Sequence, residues 1–155
     1  LTASRRQAGL ALRACLPRAI TVAQANALSE AVGYLDFEDP KVSGLVRIIR
    51  EFAPISTVSP AYCRVEHRPE GHPWHQDTGT IDHMAWCKYS ASILLTDPKE
   101  FTGGGFYFRD TPDDPIFHYL DLLFFSGGRD NAHQVTRNSG ERKALIMFFG
   151  EQGDS

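Results

Sequence analysis

The apolar positions fall into two regimes along the chain. From Val22, the residues Val22, Ala25, Leu28, Ala31, Val32 and Leu35 recur at helical spacing, and Thr21 with Gln24 three positions later forms a capping-box signature ahead of them. Asp39 and Pro40 suit an N-cap and first helical position, and Val42, Leu45, Val46, Ile49 and Phe52 carry a second stripe as far as Pro54. Both stripes are packing faces. They are expected to lie against a sheet formed by the rest of the chain.

After Ile55 the period shortens to that of strands. β-rich runs near 56–66, 73–77, 86–96, 105–109, 116–125, 132–137 and 142–149 are separated by turn clusters such as Asp97-Pro98, Gly103-Gly104-Gly105 and Ser139-Gly140. Short strands in succession, without helices between them, make a sandwich or barrel rather than a doubly wound sheet. The expected organisation is a single domain over 1–155. Residues 1–54 supply helical support and 55–150 a β core.

Composition narrows the function classes. A chain of 155 residues can bury a core without covalent staples, and 16 basic against 19 acidic residues give no general attraction to phosphate backbones or anionic membranes. Neither a nucleic-acid nor a membrane partner is expected. Cys15, Cys63 and Cys87 are odd in number and lack any CxxC pair, so free thiols in a reducing, cytoplasmic setting are expected and a thiolate zinc knuckle is not. Before Glu30 the chain carries Arg5, Arg6, Arg13 and Arg18 and no acid. That balance resembles a transit peptide, but an ordered basic helix is the reading adopted. The chain opens on Leu1 rather than methionine, so trimming upstream is expected.

The candidate chemistry sits in "HPWHQDTGTIDH", residues 72–83. On an extended segment His75 and Asp77 share a face about 7 Å apart at the backbone, close enough for their tips to meet on one ion. A third ligand is needed, from among His67, His72, His83, His118 and His133. If 133–149 forms a hairpin over Ser139-Gly140, residue 137 faces 142 and 133 faces 146, which places His133 and Arg142 on one face of the sheet. That register separates them by about 13 Å along the ladder, a gap that suits a small dicarboxylic acid with one end on the guanidinium and the other on a metal at His133. A bulge in the turn would cancel the argument. Two histidines and a carboxylate form the facial triad of non-haem iron(II) oxygenases, whereas zinc more often takes three histidines or thiolate.

Three stretches carry a resemblance: "HQD" at 75–77, "KYSASILLTDPKEFTGGGFYF" at 88–108 and "HQVTRNSGERKALIMFF" at 133–149. Together, over Tyr62 to Phe149, the chain resembles the 2-oxoglutarate and iron(II)-dependent dioxygenases, specifically their prolyl 4-hydroxylase-like branch. The resemblance implies a double-stranded β-helix, a jelly-roll variant that is mainly β with N-terminal helices. It implies His75, Asp77 and His133 as iron ligands and Arg142 on the distal carboxylate of 2-oxoglutarate. It further implies consumption of dioxygen, release of succinate and CO2, hydroxylation of an amino-acid side chain with a peptidyl prolyl substrate favoured, and ascorbate as a reductant. Related halogenases lack the carboxylate, so Asp77 points to hydroxylation. Many relatives carry a tyrosine nine residues before the first histidine, where this chain has Glu66; Tyr62, Arg64 and Ser90 are the candidates for the co-substrate wall instead. Trp74 and Trp86, on the expected pocket rims at 67–74 and 78–86, are candidates for substrate contact. Two alternatives stay open: another jelly-roll metalloenzyme, such as a cupin-like dioxygenase or zinc hydrolase, and a non-catalytic binding module.

Overall fold

The structure, a computed structural model, describes residues 4–7, 12–52, 59–78 and 86–150. The strands are β1 (Ser4–Gln7), β2 (Leu12–Leu16), β3 (Gly33–Tyr34), β4 (Ser59–His67), β5 (His72–His75), β6 (Tyr89–Leu94), β7 (Phe101–Gly103), β8 (Phe106–Phe108), β9 (Leu122–Ser126), β10 (His133–Val135), β11 (Asn138–Gly140) and β12 (Lys143–Gly150). The helices are α1 (Val22–Ser29) and α2 (Pro40–Phe52). A large antiparallel sheet runs β1-β2-β9-β6-β12-β4-β3, a small one runs β5-β10-β8, and β11 pairs with β7. This is the jelly roll that the resemblance implies, and it falls within the sandwich-or-barrel class expected from the succession of short strands.

Both helices start where their caps place them. Thr21 accepts from the Gln24 amide while the Gln24 side chain accepts from the Thr21 amide, closing the capping box. Asp39 accepts from the Lys41 amide one residue past Pro40. The α1 stripe ends early, at Ser29, because the chain then turns through Gly33, at φ +118°, to pair β3 with β4. In α2 the residues Val42, Leu45, Val46 and Ile49 are buried.

Period-two alternation gives the large sheet two unlike faces. Cys63, Val65, Ala91, Ile93, Leu122, Phe124, Leu145, Met147 and Phe149 point to the helices and build the main core. Full burial of each such leucine, isoleucine or phenylalanine stabilises by about 1.5–3 kcal/mol. The opposite face carries Ser90, Ser92, Phe125, Ala144, Ile146 and Phe148 toward the small sheet. That interior is where the pocket lies.

Two expectations are corrected. The basic helix does not form: Leu12–Leu16 is a strand whose Ala14 and Leu16 are buried, because the apolar run Leu122–Phe125 offers it a ladder partner. The hairpin over Ser139-Gly140 does not form either. β10 pairs with β5 and β8, β11 pairs with β7, and β12 pairs with β4 and β6, so the chain crosses from the small sheet to the large one between Val135 and Lys143. Gly140, at φ +101°, makes the turn, and a side chain there would strike the Glu100 carbonyl and Phe101.

Candidate metal centre and its pocket

β5 and β10 lie side by side in the small sheet with His75 and His133 as direct partners, so the register itself brings the two rings together. Asp77 lies two residues past His75, beyond the end of β5 rather than on it. Its carboxylate is turned back by Ser90, whose hydroxyl donates to Oδ2 at 2.6 Å. The other oxygen, Oδ1, lies 3.3 Å from His75 Nε2 and 3.6 Å from His133 Nε2. One ligand atom from each of the three residues falls within 4.8 Å of the others, the only such His/Cys/Asp/Glu group among the described residues.

The hydrogen bonds fix which nitrogens face inward. His75 Nδ1 is 2.7 Å from the Pro73 carbonyl, and His133 Nδ1 is 2.8 Å from the Asn131 carbonyl. A carbonyl only accepts, so Nδ1 carries a proton in each ring and Nε2 is the nitrogen turned to Asp77. Burial raises and the two histidines and Ser90 lower the Asp77 pKa, and the lowering wins. Burial opposes charge on His75, yet Asp77 and the Pro73 carbonyl hold its pKa above the ordinary histidine value. Burial keeps that of His133 below it. A carboxylate held ionised between two oriented imidazoles is a donor set that fits a divalent transition metal.

The same pocket, open at its mouth, is lined by the three residues above together with Ser90, Ser92, Phe106, Phe125, Ala144, Ile146, Phe148 and Arg142. Arg142 is buried, and burial lowers its pKa to about 10, which leaves it a cation at neutral pH. Its Nε donates to the Gly104 carbonyl at 2.8 Å, so the Nη edge of the fork is left for an anion. Gly104, at φ +72°, has no room for a side chain: a Cβ there would stand 2.5 Å from Arg142 Cδ. The glycine run therefore lets backbone and guanidinium meet.

No protein-family model matches this sequence, and no curated protein matches it. Solved structures do. The viral collagen prolyl hydroxylase vCPH of Paramecium Bursaria Chlorella virus-1, in its 2OG complex, superposes with a TM-score of 0.71 at 13% identity, over 90% of this chain and 95% of that one. A prolyl-4-hydroxylase of Pseudomonas putida gives 0.67 at 15% identity, over 91% and 93%. A 2OG-Fe(II) oxygenase family oxidoreductase of Burkholderia pseudomallei gives 0.61 at 15%, over 89% and 84%. The chain has the fold of the 2OG-Fe(II) oxygenases.

Within this oxygenase fold the remaining sequence candidates separate. Ser90 lies in the pocket wall against Asp77, and Glu66 and His72 also line the pocket. Tyr62 does not. It shares the inward parity of β4 but stands at the far end of a row, stacked on Phe148 at 4.9 Å and edge-on to Tyr34 at 5.4 Å. Arg64, beside it, faces the Tyr34 ring at 5.4 Å and is not in the wall either. Trp74 packs under Arg109 at 5.3 Å and Trp86 is exposed; neither lines the pocket. His83 and the rest of 79–85 lie outside the described residues. Cys63 and Cys87 are buried, and burial pushes both thiols up to about 12. Sequence reasoning missed the pairing of Ser92 with His118, 2.8 Å from Oγ to Nε2, missed Asn131, and named Arg13 only as part of the basic N-terminal run. The alternation of β6 carried a signal for Ser92, since it shares the parity of Ser90.

Proposed function

We propose that this chain is a non-haem iron(II) and 2-oxoglutarate-dependent dioxygenase that hydroxylates an amino-acid side chain, with a peptidyl prolyl-type substrate favoured. The observation that carries the reading is the presence of His75, Asp77, His133 and Arg142 in one pocket wall, with both histidines presenting Nε2 to a single carboxylate oxygen. His75, Asp77 and His133 would hold the iron, and iron bound there supplies dioxygen activation coupled to oxidative decarboxylation of 2-oxoglutarate to succinate and CO2.

The rest is the work of this chain's own side chains. Arg142 binds the distal carboxylate through its Nη edge, and the apolar walls of Phe106, Phe125, Ile146 and Phe148 exclude water around the reacting centre. Ser90 keeps Asp77 aimed by donating to Oδ2. The fold's neighbours include proteins described as prolyl hydroxylases, which supports a peptide substrate. Ascorbate is the reductant expected to sustain turnover. The free thiols fit a reducing compartment.

The test is incubation of the iron-loaded protein with 2-oxoglutarate, oxygen and a panel of proline-containing peptides, with free proline and lysine peptides alongside. Succinate release and the gain of one oxygen atom by a peptide, both lost in His133→Ala, are expected. Tight zinc binding with no succinate under any condition would favour a zinc hydrolase or a binding module instead.

A further inference from the structure

Arg13 lies in β2, far from the pocket in sequence and in none of its lining, yet its guanidinium is fully engaged. Nε donates to Asn131 Oδ1 at 2.5 Å, Nη2 donates to the Asp130 carbonyl at 3.0 Å, and Nη1 pairs with Asp110 Oδ1 at 2.9 Å. Its planar face covers the Phe108 ring at 3.8 Å from the centroid. The side chain is only 11% exposed.

Both objects that Arg13 grips bear on His133. Asn131, 1% exposed, closes the 3₁₀ turn Arg129–Asn131, and its own carbonyl accepts from His133 Nδ1. Its amide nitrogen is spent on the Leu12 carbonyl at 3.1 Å, the Ser126 carbonyl at 2.9 Å and Ser126 Oγ at 2.8 Å. The Asn131 side chain is therefore saturated, with Arg13 on its one oxygen. Phe108 is the ladder partner of His133 and sets its ring edge-on to the imidazole at 6.3 Å.

Sheet register explains how a residue so early in the chain arrives there. Arg13 pairs with Phe125, Phe125 with Ser90, and Ser90 with Phe148, so one row across the sheet joins Arg13 to the serine that holds Asp77. Ser90, within that row, holds the carboxylate. Arg13, two strands away, grips the turn whose Asn131 carbonyl accepts from His133.

We propose that Arg13 is a positioning residue for the metal centre: it locks the Asp130–Asn131 turn and Phe108, and through them holds His133 with Nε2 aimed at the ion. The proposal rests on the metal centre described under Proposed function. Lysine cannot replace this arginine, because a single ammonium cannot satisfy three separately placed acceptors and cover a ring at once. The basic N-terminal segment thus contributes one side chain to the site's support.

The test is titration of metal-free full-length protein with cobalt(II), read by its ligand-field absorption, for wild type, Arg13→Met, Arg13→Lys and Val42→Ala. Val42 is buried in α2 on the helical side of the sheet and serves as a variant that lowers stability without touching the site. Loss of an outer-shell partner costs about ten- to a hundredfold in metal affinity. Arg13→Met is expected to lose affinity in that range with an altered absorption envelope, Arg13→Lys to fall between it and wild type, and Val42→Ala to keep wild-type affinity despite a lower Tm. Wild-type affinity in Arg13→Met would overturn the positioning role while leaving the metal centre standing. An equal loss in Val42→Ala would reduce Arg13 to a stabilising residue. A wild-type protein that binds no cobalt would overturn the metal centre, and the positioning role with it.

Discussion

His133 and His118 are both buried in the small-sheet side of the molecule, and both rings lie against Phe106, stacked at 5.0 Å in one case and edge-on at 5.7 Å in the other. Burial alone does not distinguish them. His133 spends Nδ1 on a backbone carbonyl and turns Nε2 to a carboxylate that a second histidine also faces. His118 spends Nε2 on Ser92, has no partner for Nδ1, and stands near the Arg142 cation, so burial and that charge drive its pKa down to about 3. A buried imidazole is poised to ligate a metal where its second nitrogen meets an anion, and stays a neutral hydrogen-bonding group where it meets a hydroxyl.

The largest effect expected is on the metal. His133→Ala should weaken iron(II) binding by at least about a hundredfold, beyond the range that outer-shell changes reach, while His118→Asn should leave it near wild type. Isothermal titration of the metal-free protein measures both, and equal losses would erase the distinction. At the other end of the pocket, Arg142→Ala should weaken 2-oxoglutarate binding by about 1.5–3 kcal/mol, roughly 10- to 150-fold, with metal affinity unchanged.

A third prediction concerns acid. His118 is neutral when folded and takes up a proton on unfolding below its ordinary value of 6.5, so its contribution to stability is fully present above that pH and is lost as pH falls toward 3. From this group alone the metal-free protein should lose about 2 kcal/mol between pH 7 and pH 5. Urea unfolding of His118→Asn at the two pH values should show a loss smaller by about that amount; an unchanged loss would place the histidine's charge elsewhere. The smallest effect belongs to Ser90→Ala, which frees one oxygen of Asp77 and should weaken metal binding by about tenfold.

The residues that gather at the candidate site were legible because His75-x-Asp77 and the His133 and Arg142 region are local patterns. Their assembly was not. An alternating run on either side of Ser139-Gly140 looks the same whether its halves pair with each other or with separate strands, and here the partner of β11 is the short strand β7 at Phe101–Gly103, 35 or more residues earlier. His133 and Arg142 do share a pocket, but His133 reaches it from the small sheet and Arg142 from the segment just ahead of β12, not along one hairpin. The helices were readable from stripe and cap. The N-terminal strands were not, since Leu12–Leu16 is only five residues long and its partner β9 lies more than a hundred residues on. For the same reason, an arginine in a basic tail gave no sign that it would reach Asn131.

The account stands on one pocket holding iron at the His75, Asp77 and His133 end and 2-oxoglutarate by its far carboxylate at Arg142. Anaerobic addition of iron(II) and 2-oxoglutarate to the metal-free protein, followed in the visible for the charge-transfer band of the chelate, tests it directly. A band that needs both additions, vanishes in His133→Ala, needs far more 2-oxoglutarate in Arg142→Ala and survives in His118→Asn is the predicted result. No band in wild type, or one indifferent to His133→Ala, would contradict it.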